Sequence, residues 1–313
     1  MVADKYVPVG ILNRLWHRWE WPAVETLTGQ AFDLVSSPHP LLIPAREAAR
    51  TVTIHDLDFL DHPERTRAEI RRDYPSLVGS HAARADRVIV VSSHTAQQVE
   101  TRLGVPRSRI SICPPGGPAW APREREPDAG GCILFLGTLE PRKNLELLVS
   151  AYELLADARP RLPPLVVAGR ATPEALPLLE RVRSSRIASQ VEFVGYVQPD
   201  SRRALYERAL VFVLPSHTEG FGMPVVEAMM TGVPVVAANR GALPEVVGSA
   251  GILVDPADAP ALAQRLGQLI DSPEMRARLA NAGLEQGRRF TWANTARLTR
   301  EAWHLAIEAR KRQ

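Results

Sequence analysis

Two carboxylates with seven residues between them, Glu219 and Glu227, stand in the chain's densest cluster of chemically useful residues, Pro215-Ser216-His217-Thr218-Glu219-Gly220-Phe221-Gly222-Met223-Pro224-Val225-Val226-Glu227. Pro224 suits the first position of a helix, where its missing N–H is no loss. Glu219 is therefore predicted in a loop and Glu227 in the first helical turn, with both able to face one cleft. Gly220 and Gly222 let the backbone approach a ligand closely, and the N–H groups of a helix start favour an anionic or hydroxyl-rich one. Glu227 taken alone also reads as an acid stabilised by the helix macrodipole.

A second cluster, Thr138-Leu139-Glu140-Pro141-Arg142-Lys143-Asn144, follows an apolar strand, Ile133 to Gly137, and precedes an amphipathic helix from Leu145. Arg142 can fork onto phosphate oxygens and Lys143 can supply a point charge. Positive charge at a helix start opposes the macrodipole and is favoured by a bound anion. The carboxyl end of a parallel strand is also where doubly wound sheets bind ligands. The third cluster, His55-Asp56-Leu57-Asp58, ends the β-branched strand Thr51 to Ile54. Asp56 and Asp58 could hold Mg²⁺ or Mn²⁺ through oxygen ligands and bridge a nucleotide diphosphate. That reading would make Arg142 and Lys143 redundant, and the alternative is that His55 itself meets the ligand.

The elements that position these groups alternate between strands and helices. Before residue 114 the strands are Asp33 to Ser36, Leu41 to Ile43, Thr51 to Ile54, Arg87 to Ser92 and Arg109 to Cys113. A helix spans Ser93 to Leu103, and a solvated helical region from Pro63 to Ala85 is expected to break near Pro75. Residues 11 to 21 form an amphipathic helix with Ile11, Leu12, Leu15, Trp16 and Trp19 on one stripe and Arg14 and Arg18 off it. Its tryptophans suit core packing, a membrane interface or an acceptor groove. Pro114 to Gly131, rich in Pro, Gly and charge, reads as an interdomain linker. After it at least five strands alternate with helices or loops, which implies an α/β fold with a parallel sheet. The domains are placed at 1–125 and 126–296, with a terminal helix at 297–313.

Composition excludes several classes. The chain has 313 residues, 45% of them apolar, and a net charge of +3. Its basic residues are nearly all Arg, the only lysines being Lys5, Lys143 and Lys311, and no basic run suggests a nucleic-acid surface. Cys113 and Cys132 form no C-x-x-C pair, so neither a disulfide framework nor a zinc site is indicated and a reducing cytoplasm fits. No run approaches the ~18 apolar residues of a membrane span, so peripheral contact at the inner membrane face is the most a membrane role would require. The dinucleotide fingerprint G-x-G-x-x-G is absent, which leaves nicotinamide chemistry unsupported.

The string P-S-x-x-E-G-F-G-x-P-x-x-E resembles the E-x7-E signature of retaining GT-B glycosyltransferases, family 4 (group 1), which include bacterial mannosyltransferases. The resemblance covers about residues 30 to 310 and implies two Rossmann-like domains facing one cleft, with the terminal helix crossing back to the first. It implies transfer of a hexose, mannose by analogy, from a nucleotide-diphosphate sugar to a carbohydrate or lipid-linked acceptor, with retention and with no metal or other cofactor. On this reading Arg142 and Lys143, in G-x-x-x-x-R-K-x beginning at Gly137, hold the diphosphate. Glu219, with Gly220 and the N–H groups of Phe221 and Gly222, positions the sugar, and Glu227 takes the ribose hydroxyls. Gly195, Tyr196 and Val197 form the base-binding loop with Arg170 nearby, and His55 meets the sugar. Ser92, Thr95 and Glu245 occupy positions similar to family strings, though each also reads as a local cap. A noncatalytic nucleotide-sugar-binding subunit, an inactive truncated transferase and a hydrolase are the rival readings. A strand-helix unit expected before the His55 strand is not evident in the sequence, so the first domain is expected to be incomplete at its start.

Overall fold

The computed structural model describes residues 9–66, 68–127 and 130–312. The chain forms two compact units, one drawn from residues 1–114 and 293–313 and the other from residues 115–292. Each is an α/β unit with its own parallel sheet.

The first unit runs α1 (Val9–Trp19), α2 (Val24–Thr28), β1 (Leu34–Ser37), β2 (Ala49–Ile54), α3 (Asp58–Asp61), α4 (Ala68–Arg84), β3 (Arg87–Val90), α5 (Ser93–Leu103) and β4 (Ile110–Ile112). The strands pair in the order β1-β2-β3-β4, all parallel, with Thr51 opposite Arg87 and Val88 opposite Ile110. Val52, Ile54, Val88 and Val90 are fully buried among Val78, Ala82, Ala96 and Val99. Such burial explains why these strands read as β-branched runs and not as alternating ones.

Two local expectations fail here. Leu41 and Leu42 are buried but lie in irregular chain, because the Leu42 N–H donates to Nδ1 of buried His81 at 2.8 Å and not to a neighbouring strand. Helix α4 runs unbroken through Pro75. Tyr74 stacks edge-on against Phe59 at 5.6 Å and Val78 is buried, so tertiary packing overrides the local breaker.

The second unit continues with β5 (Cys132–Leu136), α6 (Leu145–Ala158), β6 (Leu165–Ala168), α7 (Leu176–Arg183), β7 (Val191–Gly195), α8 (Pro199–Arg208) and β8 (Ala209–Leu214). It closes with α9 (Met223–Thr231), β9 (Val235–Ala238), α10 (Leu243–Val247), β10 (Ile252–Val254), α11 (Ala259–Asp271) and α12 (Pro273–Gly287). The six strands lie parallel in the order β10-β9-β8-β5-β6-β7. Winding proceeds outward from β5 through β6 to β7, then restarts beside β5 at β8 and proceeds the other way. The reversal between β5 and β8 is the switch point of a doubly wound sheet.

The Pro- and Gly-rich stretch is not a free tether in its described part. The N–H of Gly117 donates to Phe290, that of Arg123 donates to Thr231, and the Arg123 guanidinium reaches the Ala209 carbonyl, so residues 115–127 are laid against the second unit. The last helix, α13 (Trp292–Lys311), belongs to the first unit from Ala293 onward. Ala302 is buried with Ile89 and Cys113, Trp303 donates to Ser36 at 3.2 Å, and Arg310 reaches the Arg46 carbonyl at 3.1 Å.

Candidate functional site

The loops that follow β5 and β8 flank the switch point, and they carry the basic cluster and the Glu-Gly-Phe-Gly cluster respectively. Asn144 ties them together. It sits in the left-handed region (φ 53°), and its side-chain amide donates to the carbonyls of Pro215 at 3.0 Å and Pro256 at 2.9 Å. The His217 N–H donates to the Arg142 carbonyl at 2.9 Å. Two glycines permit this packing. A Cβ on Gly169 (φ 149°) would lie 1.7 Å from the Gly137 carbonyl oxygen, and one on Gly241 (φ 60°) 2.7 Å from the Glu219 nitrogen.

At the centre lies an ion-pair network between residues about 76 positions apart. Lys143 Nζ is 2.5 Å from Glu219 Oε1, and Ser216 donates to the same oxygen at 2.7 Å. Arg142 reaches Glu219 Oε2 at 3.3 Å and the Thr218 carbonyl at 3.1 Å, while its Nε and other terminal nitrogen grip Glu140 at 3.1 and 2.9 Å. Lys143 and Glu219 are both buried. Burial pushes the Glu219 carboxyl up, but the charges of Lys143 and Arg142 and the hydrogen bonds from Lys143 and Ser216 outweigh it and hold the group below its ordinary range. The site therefore presents an ionised carboxylate gripped by two cations.

Glu227 belongs to a separate network. It is the fifth residue of α9, which begins at Met223, so it lies one residue deeper than expected from Pro224 and just past the first turn. Its carboxylate accepts from the Tyr206 hydroxyl at 2.8 Å and from Arg202 at 3.2 Å. Burial raises its pKa despite these two donors, and burial together with the Glu227 charge drives the Tyr206 hydroxyl well above its usual value. The macrodipole of a first turn does not explain a carboxylate placed here.

The other expected residues divide between the units. Gly220, Phe221 and Gly222 complete the β8 loop, with Gly222 at φ 105° and Phe221 packed edge-on against Phe290 at 5.3 Å. Gly137 adjoins Gly169, whose N–H donates to the Gly195 carbonyl at 2.7 Å, so the loops after β5, β6 and β7 lie side by side. Gly195 adopts φ 75°, Val197 is half-buried, and the ring of Tyr196, 57% exposed, is covered by the Arg170 guanidinium at 5.9 Å. Glu245 is exposed on α10.

In the first unit His55 is exposed at the end of β2, with Nε2 donating to the Pro38 carbonyl at 3.2 Å. Asp56 accepts from the Asp58 N–H at 3.1 Å in a local turn that starts α3. Among the described residues no three His, Cys, Asp or Glu side chains converge as a metal-ligand set. Ser92 caps α5 by accepting from the Thr95 N–H at 3.0 Å, and the Thr95 hydroxyl donates to the His55 carbonyl at 3.2 Å. The sequence reading left Glu140, Ser216, Tyr206 and Arg202 without roles; Ser216 stood inside the quoted motif and could have been found there.

Two parallel α/β units, one of them a doubly wound sheet with a cluster of cations and acids at its switch point, make up a GT-B glycosyltransferase architecture. The family described as Glycosyl transferases group 1 matches residues 118–286, and Glycosyltransferase Family 4 matches residues 3–117; the chain belongs to the group 1 glycosyltransferases. O-antigen chain mannosyltransferase B of Escherichia coli is 31% identical over 84% of this chain and 72% of its own length. The serotype-specific mannosyltransferase WbdA of Escherichia coli is 31% identical over 88% of this chain, which spans only 35% of that relative. Among solved structures, sucrose-phosphate synthase of Thermosynechococcus elongatus superposes with a TM-score of 0.74 at 22% identity, covering 94% of this chain and 79% of that one. Among the described residues no helix is long and apolar enough to cross a membrane.

Proposed function

We propose that the chain transfers a hexosyl group, mannosyl by its similarity to the two mannosyltransferases, from a nucleoside-diphosphate sugar to a carbohydrate or lipid-linked acceptor. In this reading the anomeric configuration is retained, no metal takes part, and the protein works in the cytoplasm, in peripheral contact with the inner face of the membrane. The observation that carries the reading is the convergence of Lys143 and Arg142 on Glu219 at the switch point. Negative charge grows on the leaving diphosphate as the glycosidic bond breaks, and prepositioned cations stabilise it without reorganising. A Lys ammonium has three N–H donors and an Arg guanidinium five. Lys143 gives one of its donors to Glu219, whereas Arg142 makes four bonds to Glu140, Thr218 and Glu219. Lys143 is thus the principal diphosphate group, and Arg142 also braces the two loops.

The ionised Glu219 and the N–H groups of Phe221 and Gly222 position the sugar hydroxyls, Glu227 takes the ribose, the loop of Gly195, Tyr196 and Val197 meets the base, and His55 contacts the sugar. Departure and attack occur on one face, which gives retention without a covalent glycosyl-enzyme. The direct test pairs a thermal-shift screen of GDP-mannose and UDP-glucose with NMR assignment of the product's anomeric proton. A ligand at 100 times its Kd stabilises by about 2.7 kcal/mol. The expected result is a shift with GDP-mannose and an α-linked product; no shift with any nucleotide sugar, or a β-linked product, overturns the reading.

A further inference from the structure

Both oxygens of the Glu227 carboxylate are held by one helix. Arg202 and Tyr206 stand four residues apart on α8 and so share a face of it. The Tyr206 hydroxyl donates to Glu227 Oε2 at 2.8 Å, and Arg202 donates to Oε1 at 3.2 Å. The same hydroxyl lies 3.2 Å from the Pro224 carbonyl, which leaves Glu227 the nearer acceptor for its one proton. The Tyr206 ring has little freedom to turn away. It is fully buried, with Phe212 at 5.6 Å and with Trp120, from the segment laid against this unit, at 5.9 Å.

Stability alone does not explain this arrangement. Taking a carboxylate out of water disfavours its charge, and an apolar residue of similar volume would fill the place of Glu227 without that cost. Arg202 adds a second cost, because its Nε is buried with no hydrogen-bond partner among the described residues. What the arrangement provides is a fixed acceptor. A charged carboxylate offers about four lone-pair sites on its two oxygens. Tyr206 occupies one on Oε2 and Arg202 one on Oε1, so each oxygen keeps a site for a further hydroxyl. Two oxygens held in this way match the two neighbouring hydroxyls of a ring diol.

We infer that Tyr206 and Arg202 are positioning residues for nucleotide recognition: each fixes one oxygen of Glu227 so that the carboxylate accepts from both ribose hydroxyls, and the site thereby selects ribonucleotides over 2′-deoxyribonucleotides. This rests on the reading in which Glu227 takes the ribose and names the groups that make it selective. An analogue that lacks one hydroxyl leaves an oxygen of a buried carboxylate without its donor, and a site built on such a bond rejects the analogue for that reason. A carboxylate free to rotate would turn both oxygens toward the remaining hydroxyl and discriminate less.

The test is calorimetric titration of the full chain with GDP and 2′-deoxy-GDP, and with UDP and 2′-deoxy-UDP, in the wild type, Tyr206→Phe and Arg202→Met. Tyr206→Phe keeps the ring between Trp120 and Phe212 and removes only the hydroxyl, and Arg202→Met keeps the apolar stem of a half-buried side chain. The wild type is expected to bind the ribonucleotide about tenfold more tightly than its 2′-deoxy counterpart. Each variant is expected to lose about tenfold in ribonucleotide affinity but only about threefold in 2′-deoxynucleotide affinity, so that discrimination shrinks to about threefold. Equal losses for both nucleotides, which a merely structural role would give, overturn the inference. Should Tyr206→Phe fail to fold, Arg202→Met decides alone. A wild type that binds ribonucleotide and 2′-deoxynucleotide alike overturns the inference and leaves the transfer reading standing, whereas a wild type that binds neither pair overturns both.

Discussion

Lys143 and Glu219 are each other's counter-charge before any donor is bound, so a substitution at either changes two things at once. Lys143→Ala removes the cation from the leaving diphosphate and is expected to lower kcat/KM by about 10²-fold or more; unchanged steady-state kinetics in a folded variant would exclude the role. Glu219→Gln leaves Lys143 buried without its carboxylate and is expected to destabilise by about 3 kcal/mol. The two acids respond to pH in opposite senses. Folding lowers the Glu219 pKa, so its contribution is complete above the ordinary carboxylate range and disappears as pH falls through the folded value. Folding raises the Glu227 pKa, so ionising it works against the fold as pH rises through that range. Glu227→Gln, which keeps an acceptor for Tyr206, is therefore expected to hold or raise the thermal midpoint at pH 8 while weakening nucleotide binding; a large fall at pH 8 would contradict the assignment. At Asp56, which is engaged in a turn, EDTA is expected to leave transfer intact. Loss on chelation with recovery in Mn²⁺ would restore the Asp56-Leu57-Asp58 metal reading.

At the scale of elements, the close approach of three loops depends on atoms that are absent. Gly169→Ala would place a methyl group 1.7 Å from the Gly137 carbonyl at a φ of 149°. Strain of about 1–3 kcal/mol is expected from the backbone alone, with a larger fall in donor affinity because the loop bearing Lys143 must shift. Isothermal titration with the donor nucleotide checks this, and wild-type affinity would mean that the loops are not coupled. The same elements explain what could be read from the chain. The buried strands β5, β6 and β8 were legible as continuous apolar runs, and the loops after β5 and β8 as clusters of charge and glycine. Strand order was not legible, because nothing local states that β8 returns to the side of β5; the Lys143–Glu219 pair follows from that order alone. Leu41 to Ile43 looked like a strand because apolar residues pack equally well in irregular chain when a side chain such as His81 takes the backbone N–H.

For the whole molecule, the two units divide the chemistry unequally. Lys143, Arg142, Glu219, Glu227 and Tyr196 all lie within residues 115–292, while His55 lies in the first unit. That unit is closed by the far end of the chain: Ala302 on α13 is 1% exposed against Ile89 and Cys113. Ala302→Glu would bury a carboxylate among Ile89, Cys113 and Leu298, at a cost of at least about 2 kcal/mol to the first unit. The donor groups of the second unit contribute nothing to that cluster. Donor affinity by titration is therefore expected to stay within about threefold of wild type, a difference under 1 kcal/mol. Transfer is expected to fall much further if, as proposed, His55 meets the sugar from the unit that α13 completes. Equal losses of affinity and turnover would mean that donor binding needs both units, and the division of labour would have to be abandoned.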